Sequence, residues 1–229
     1  AYLSQHGDTL RTHRVAVGLY NLQDGQVVRT DRIEMDVDGS STEIPELIGR
    51  QLADIDFLLP NDDDLTYCLI ELDAGSLQFL LDNIDKFADP MARTLCWSTA
   101  WEMTRAGTMR ARDFIQLVAR GMQAETELAV LERIVLQASS ALKNYADPRW
   151  AAQSTLLADA LLDGARSSDA QRSIICTQAL VKIRLHDSAR DYLRGVLESS
   201  EDAGLRWSAL AALAADGAIE DVPAAADAQ

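Results

Sequence analysis

The spacing of the hydrophobic residues changes once along this 229-residue chain, near Asp73, and this change limits the folds open to it. Before Asp73, apolar and polar residues alternate over short runs, which is typical of half-buried β-strands. After Asp73, apolar residues recur every three or four positions, which is typical of amphipathic helices. The sequence therefore predicts a small antiparallel β-sandwich over residues 1–73 and a mainly α-helical domain over residues 74–229.

Five short strands are predicted in the first domain. Asp24-Gly25 and Asp38-Gly39 are hairpin turn signals, because glycine adopts a positive φ at little cost. The predicted strands are the runs 13–20, 31–38, 42–45, 57–59 and 65–72. Several short strands with turns between them predict a sandwich of two sheets.

About eight helices are predicted in the second domain. Asp89-Pro90 and Asp147-Pro148 are start signals, since Asp caps free N–H groups and proline fits the first helical position. Ser76 is the predicted cap of the first helix, and Gly107 ends the second. The helix that begins at Pro148 is predicted to run to Gly164. Helices of ten to twenty residues with short loops predict a paired-helix array, and without a fixed repeat period this is an irregular superhelix of HEAT or armadillo type.

The net charge of −15 narrows the classes of partner. Residues 1–73 hold 15 acidic and 5 basic residues, and residues 74–229 hold 21 and 16. An acidic surface repels nucleic-acid phosphates and anionic lipids, so neither nucleic acid nor a membrane is an expected partner. The three cysteines, Cys68, Cys96 and Cys176, have apolar neighbours, which predicts buried free thiols and a cytoplasmic location.

The three histidines, His6, His13 and His186, limit the catalytic chemistry of this chain. A zinc peptidase site needs two histidines one helical turn apart, and the sequence contains no His-Glu-x-x-His. It also contains no Gly-x-Ser-x-Gly, no cysteine beside a histidine and no phosphate-binding glycine loop. The sequence therefore predicts no catalytic residue, no metal ligand and no cofactor in this chain, and only pairs of Asp and Glu are left for acid–base chemistry.

Asn61-Asp62-Asp63-Asp64 is the densest charge cluster, and two interpretations of it are open. Three neighbouring carboxylates are ligands that a hard cation prefers. Asn and Asp side chains also satisfy backbone N–H groups in tight turns, which predicts a turn between Leu59 and Leu65.

Two aromatic and basic groups are candidates for a surface that faces a peptide or another domain. Trp97, Trp101 and Arg105 follow one another at intervals of four residues, which places them on one helix face. Arg206 and Trp207 form the second group. In both cases the alternative is a core tryptophan beside an arginine that extends to solvent.

The segment Leu58–Tyr67, with the sequence Leu-Leu-Pro-Asn-Asp-Asp-Asp-Leu-Thr-Tyr, resembles a signature of the aminopeptidase N family of zinc metallopeptidases, above all its actinobacterial members. Further segments are similar to that family in the same order, over residues 11–215. They are His13–Tyr20, Arg93–Trp97, Trp101–Arg105 and Leu205–Trp207.

The resemblance implies a gluzincin-type enzyme that removes N-terminal residues from peptides, with its zinc in a catalytic domain upstream of this chain. It implies that this chain is the C-terminal fragment, which begins inside a β-sandwich and continues into a helical domain that covers the active site and controls peptide access. The implied partners are the upstream catalytic domain of the same polypeptide and the peptide substrate. The alternative is a free-standing helical-repeat module that binds another protein.

This sequence departs from the family pattern in two places. Cys68-Leu69 follows Tyr67 where relatives carry a basic residue, and the family's last helices are missing, so the helical domain is expected to be incomplete. The chain begins with Ala1 rather than Met, from which we expect a piece of a longer polypeptide.

Overall fold

The computed structural model describes residues 2–7, 9–219 and 222–227. These residues form two compact units, the first ending at Met109 and the second beginning at Arg110. Strands give way to helices at Ala74, where the hydrophobic period changes. The first two helices nevertheless group with the strands, and the domain division at residue 73 stays a prediction.

The strands of the first unit form two small antiparallel sheets. The strands are β1 Tyr2–Ser4, β2 His13–Gln23, β3 Gln26–Val37, β4 Ser41–Glu43 and β5 Phe57–Pro60. β1 pairs with β4, and β2 lies between β3 and β5. The turn from β2 to β3 is Asp24-Gly25, with φ of 49° and 83°, as its sequence predicts.

Strand β2 is the centre of the first unit because both of its faces are buried from Val15 to Tyr20. One face contributes Val15, Val17 and Leu19 to an apolar cluster with β3. The opposite face carries Gly18 and Tyr20. The Tyr20 ring lies 6.0 Å from Phe57 and 5.8 Å from Phe87 between ring centroids.

Two helices complete the first unit, α1 Ala74–Asn83 and α2 Pro90–Ala106. Asp89 accepts a hydrogen bond from the Met91 N–H at the start of α2, and Gly107 ends it with a φ of 79°, as predicted. The cap of α1 differs from the prediction. Asp73, not Ser76, accepts the N–H groups of Gly75 and Ser76, because its carboxylate lies one position before the first turn.

The second unit contains the remaining helices of the described residues. They are α3 Ala111–Gly121, α4 Leu128–Asn144, α5 Pro148–Gln153, α6 Leu156–Ala165, α7 Ala170–Leu180, α8 Asp187–Ser199, α9 Ala203–Ala215 and α10 Val222–Asp227. α3 packs against α4, α6 against α7, and α8 against α9. The pairs also stack, since α6 contacts α3 and α8, and α7 contacts α4 and α9.

Three further predictions about local structure are wrong. Residues 65–72 form no strand, and the predicted helix over 148–164 is two helices separated at Ser154, whose backbone is extended at φ −81° and ψ 124°. Of the three cysteines predicted to be buried, Cys96 and Cys176 are buried and Cys68 is exposed, because it lies in the unpaired 65–72 segment. Within the described ranges, no helix is long and apolar enough to cross a membrane.

The close packing of α6 on α7 depends on the absence of a side chain at Gly164. A Cβ atom there would lie 2.5 Å from Cys176 Sγ and 3.3 Å from Cys176 Cβ. Gly195 in α8 is the contrasting case, since a Cβ atom there would meet nothing within 4 Å.

We expect Gly164→Ala to lower the free energy of unfolding by about 1–3 kcal/mol through this overlap. Gly195→Ala, the matched control, should raise it by about 0.5–1 kcal/mol, because alanine favours the helix where space is free. Adding Cys176→Ala to Gly164→Ala should cost less than the sum of the two single changes, as measured by urea unfolding. Strict additivity would contradict the packing described.

Candidate functional site

The turn that carries the family resemblance lies against the Gly18–Tyr20 face of β2, and a β-bulge supplies its positive charges. In the β2–β3 ladder, Leu19 is opposite Asp31 and Tyr20 is opposite Arg29, so Thr30 is an extra residue. Arg32 is opposite Gly18. Arg29 and Arg32, three residues apart, therefore lie on the same face as Gly18 and Tyr20, whereas regular alternation would put them on opposite faces.

Residues 61–64 form a tight turn after β5 with left-handed backbone at three positions. Asn61, Asp63 and Asp64 have φ of 54°, 65° and 54°. Asparagine and aspartate tolerate this conformation better than other residues with a side chain. The Asn61 side chain also closes the turn, because its amide donates to the Thr66 carbonyl at 2.8 Å and its oxygen accepts from the Thr66 N–H at 3.1 Å.

Asp62 is the buried charge of this turn, with no exposed surface. It accepts the Tyr20 hydroxyl at 2.9 Å and an Arg29 N–H at 2.9 Å. Burying a carboxylate costs several kcal/mol unless such partners compensate, so the position is stable only with both groups present. Gly18 gives Asp62 its space, since a Cβ atom at Gly18 would lie 2.8 Å from Asp62 Cγ and 2.6 Å from the Tyr20 ring.

Asp63 links the two arginines. Its carboxylate accepts from Arg29 at 2.8 Å and from Arg32 at 2.7 Å. The hydrogen bond from Arg29 lowers the pKa of Asp63, and the bond from Arg32 acts in the same direction. Burial raises the pKa of Tyr20, and the charge of Asp62 raises it further, so this hydroxyl remains a donor at all physiological pH values.

This arrangement favours the turn interpretation over the cation interpretation. The carboxylates of Asp62 and Asp63 are occupied by arginine and tyrosine donors, and the arginine charges would repel a cation. In the described part of the chain, no group of three or more His, Cys, Asp and Glu side chains is placed to hold a metal ion. The cluster holds the hairpin, the turn and β5 together.

The three residues predicted on one face of α2 differ widely in exposure. Trp97 is fully buried, Trp101 is partly buried and Arg105 is exposed. Arg105 donates to both carboxylate oxygens of Glu102 at 3.0 Å. In this structure a peptide has no access to Trp97, and a peptide-facing or interdomain role for Trp101 and Arg105 stays a prediction.

Arg206 and Trp207 lie in the second unit, on α9. Arg206 is partly buried and donates to the Ser200 carbonyl at 2.8 Å, where it fixes the loop before the helix. Trp207 is 50% exposed. Among the five predicted site residues, Trp207 is the aromatic side chain with the most open surface, and its contact with a peptide or another domain stays a prediction.

A polar cleft of about 710 Å³ lies beside the β2–β3 hairpin, and no sequence pattern predicts it. Arg50 in this cleft pairs with Asp31 at 2.7 Å, and Asn21 donates to the Asp54 carbonyl at 2.7 Å. The long loop from residue 44 to 56 brings these groups together, and no local pattern signals such a contact. Their polar atoms bind one another, which is typical of a structural cleft.

The buried thiols of Cys96 and Cys176 have low reactivity. Burial raises the pKa of Cys176 to about 11 and raises that of Cys96 as well. Both therefore stay protonated at neutral pH, and the thiol form is a poor nucleophile.

Comparison with known proteins connects the turn and the helices to one family. A family model described as the ERAP1-like C-terminal domain matches residues 57–228, from the start of β5. Aminopeptidase N of Streptomyces lividans is 34% identical to this chain over 222 residues, which is 91% of the chain. The same alignment covers 25% of that relative, so the chain spans about a quarter of its length.

We expect Asp62→Asn to lower the free energy of unfolding by about 2 kcal/mol. The asparagine side chain has the same size as aspartate but lacks the negative charge that accepts the hydrogen bonds of Arg29 and Tyr20. Asp64→Asn is the matched control. Asp64 is exposed, and asparagine suits its left-handed backbone, so its effect should stay within about 0.5 kcal/mol. Urea unfolding followed by circular dichroism measures both, and equal effects would show that the buried charge does not stabilise the fold.

The lowered pKa of Asp63 makes a pH-dependent contribution to stability. The contribution is complete above the unfolded-state pKa, about 3.9, and is lost as the pH falls through the lower folded-state value. As the pH falls from about 5 to about 2, the free energy of unfolding should therefore decrease less for Asp63→Asn than for the unchanged chain. Urea unfolding at a series of pH values tests this, and parallel curves for the two proteins would contradict it.

Proposed function

The chain belongs to the ERAP1-like C-terminal domain family, and on that premise we propose that it is the non-catalytic C-terminal region of a zinc-dependent aminopeptidase. In this proposal the complete polypeptide is a metalloprotease that removes N-terminal residues from peptides. The observation that carries the proposal is the alignment with aminopeptidase N, which takes in 91% of this chain and 25% of the relative.

The histidine content supports a non-catalytic role. The whole sequence contains His6, His13 and His186, and no His-Glu-x-x-His. A zinc ion that activates water needs protein ligands and an open position, and the described residues offer no such group. In the proposal zinc is held elsewhere in the polypeptide, and this region has no cofactor of its own.

The stacked helix pairs support a role in peptide access. Helices that pair with a sequence neighbour and stack on the next pair build an extended curved surface, as HEAT and armadillo repeats do. We propose that the helices form such a superhelix over the active site, that the two sheets form a β-sandwich that joins it to the catalytic domain, and that Trp207 faces the peptide. The proposed location is the cytoplasm.

The test compares this chain with the complete polypeptide encoded by its gene. We expect the complete polypeptide to bind zinc stoichiometrically and to hydrolyse an aminoacyl chromogenic substrate, and this chain alone to do neither. We also expect the complete enzyme to trim free peptides and to leave the N-terminus of a folded protein intact, because the helices restrict entry. Zinc content by elemental analysis and hydrolysis rates are the measurements.

Two results would overturn this proposal. Stoichiometric zinc with turnover by this chain alone would place the catalytic chemistry here. A gene that encodes no His-Glu-x-x-His upstream would favour the alternative, a free-standing helical-repeat module that binds another protein.

A further inference from the structure

Residues Leu65–Leu72, the edge segment, have the composition of a β-strand but pair with no strand of the described residues. Apolar and aromatic residues dominate the segment, which has the sequence Leu-Thr-Tyr-Cys-Leu-Ile-Glu-Leu. Tyr67 is fully exposed and Leu69 is 79% exposed. Leu65 and Cys68 are exposed as well, whereas Ile70 is partly buried and Leu72 is buried, so the exposed apolar side chains lie in the first part of the segment. Exposed apolar stretches of this kind mark sites of interaction.

The backbone of the edge segment is also open. From Tyr67 to Leu72, all described residues, the N–H and C=O groups form no hydrogen bond with any other described residue. A row of unpaired backbone N–H and C=O groups is a template for pairing with another strand. The sequence predicts a strand here, and the described residues of this chain supply no neighbouring strand for it.

The start of the edge segment is fixed beside the central strand. β5 pairs with β2 only from Val17 to Tyr20. Beyond the Asn61–Asp64 turn, Thr66 Oγ1 lies 2.9 Å from His13 Nδ1 at the beginning of β2. Asn61 holds the backbone N–H and C=O of Thr66 as well. The edge segment therefore leaves the sheet from an anchored position, so a strand that bound it would find one end already ordered.

We propose that the edge segment pairs with a β-strand from the part of the complete polypeptide that lies outside this chain. This inference rests on the proposed function and names the contact by which this region joins the rest of the enzyme. Backbone hydrogen bonds would supply affinity, and Tyr67 and Leu69 would enter apolar positions of the partner strand. The relative aligned here has three quarters of its length beyond the aligned part, which leaves ample chain to supply the strand.

The charge around the edge segment selects the partner. Asp64, Glu71 and Asp73 lie in or beside it, and no lysine or arginine occurs between Asn61 and Asp85. Two copies of this chain paired through the segment would bring like charges together, which opposes self-association. The partner strand that fits has apolar residues opposite Tyr67 and Leu69 and basic residues near its ends. A second copy of this segment carries no basic residue and therefore does not fit.

Hydrogen–deuterium exchange of the complete polypeptide and of this chain alone tests the inference. In this chain the amides of residues 67–72 should exchange at rates close to those of an unfolded peptide. In the complete polypeptide at least alternate amides should exchange more slowly by about a hundredfold or more. The amides of β2 that pair with β3 are the internal control, since they should be protected in both proteins.

A proline pair gives a second measurement. In an edge strand, successive N–H groups point to opposite sides, so Cys68→Pro and Leu69→Pro remove donors that face different ways. In this chain both variants should leave the melting temperature unchanged, because neither N–H is bonded. In the complete polypeptide one variant should lower it by several degrees and the other should have a much smaller effect.

The outcomes separate this inference from the proposed function. Fast exchange of residues 67–72 in a complete polypeptide that binds zinc and hydrolyses peptides would overturn the inference alone. Protection that increases with the concentration of this chain by itself would show a second copy as the partner and would also overturn it. A complete polypeptide without zinc or activity would overturn the proposed function, whatever the exchange rates.

Discussion

The first unit depends on one buried carboxylate. Asp62 has no contact with water, and its charge is balanced by Arg29 and by the hydroxyl of Tyr20. Three other features of the unit allow this carboxylate to be buried beside its partners: the missing side chain at Gly18, the bulge at Thr30 and the left-handed turn. A buried ion pair adds little net stability but strongly penalises any arrangement that leaves it unpaired. The cluster therefore specifies one register of hairpin, turn and β5.

The sequence predicted the features whose causes are local. Asp24-Gly25 forms its hairpin turn, and α2 lies between Asp89-Pro90 and Gly107, because turn and cap geometry is decided by a few neighbouring residues. The arginine partners of the Asn61–Asp64 turn could not be predicted. They depend on an extra residue at Thr30, whereas a regular alternation of side chains along the strand would place Arg29 and Arg32 on opposite faces. Residues 65–72 were wrongly predicted as paired, because a strand pattern does not reveal whether a neighbour is present.

The residues that carry the family resemblance have a structural role in this chain. Leu58–Tyr67 contains β5 and the turn around Asp62, and its side chains hold the sheet to the segments that follow. In this segment the resemblance is therefore carried by residues that hold the turn and β5 in place. Of the predicted site residues, Trp97 is part of the core and Trp207 remains on the surface, a difference that helical spacing alone does not reveal.

The left-handed turn also has a consequence for the order of folding. Three of its four residues adopt a conformation that L-amino acids disfavour, so a peptide of residues 61–64 would not keep this shape by itself. Besides the local bonds between Asn61 and Thr66, the turn is stabilised by a hairpin residue 33 positions before Asp62, Arg29. β-Hairpins in general form in about 1–10 μs because their contacts are local, whereas this turn also depends on the distant Arg29. Because Arg29 precedes Asp62 in the chain, synthesis from the N-terminus makes the charge partner available before the carboxylate that needs it.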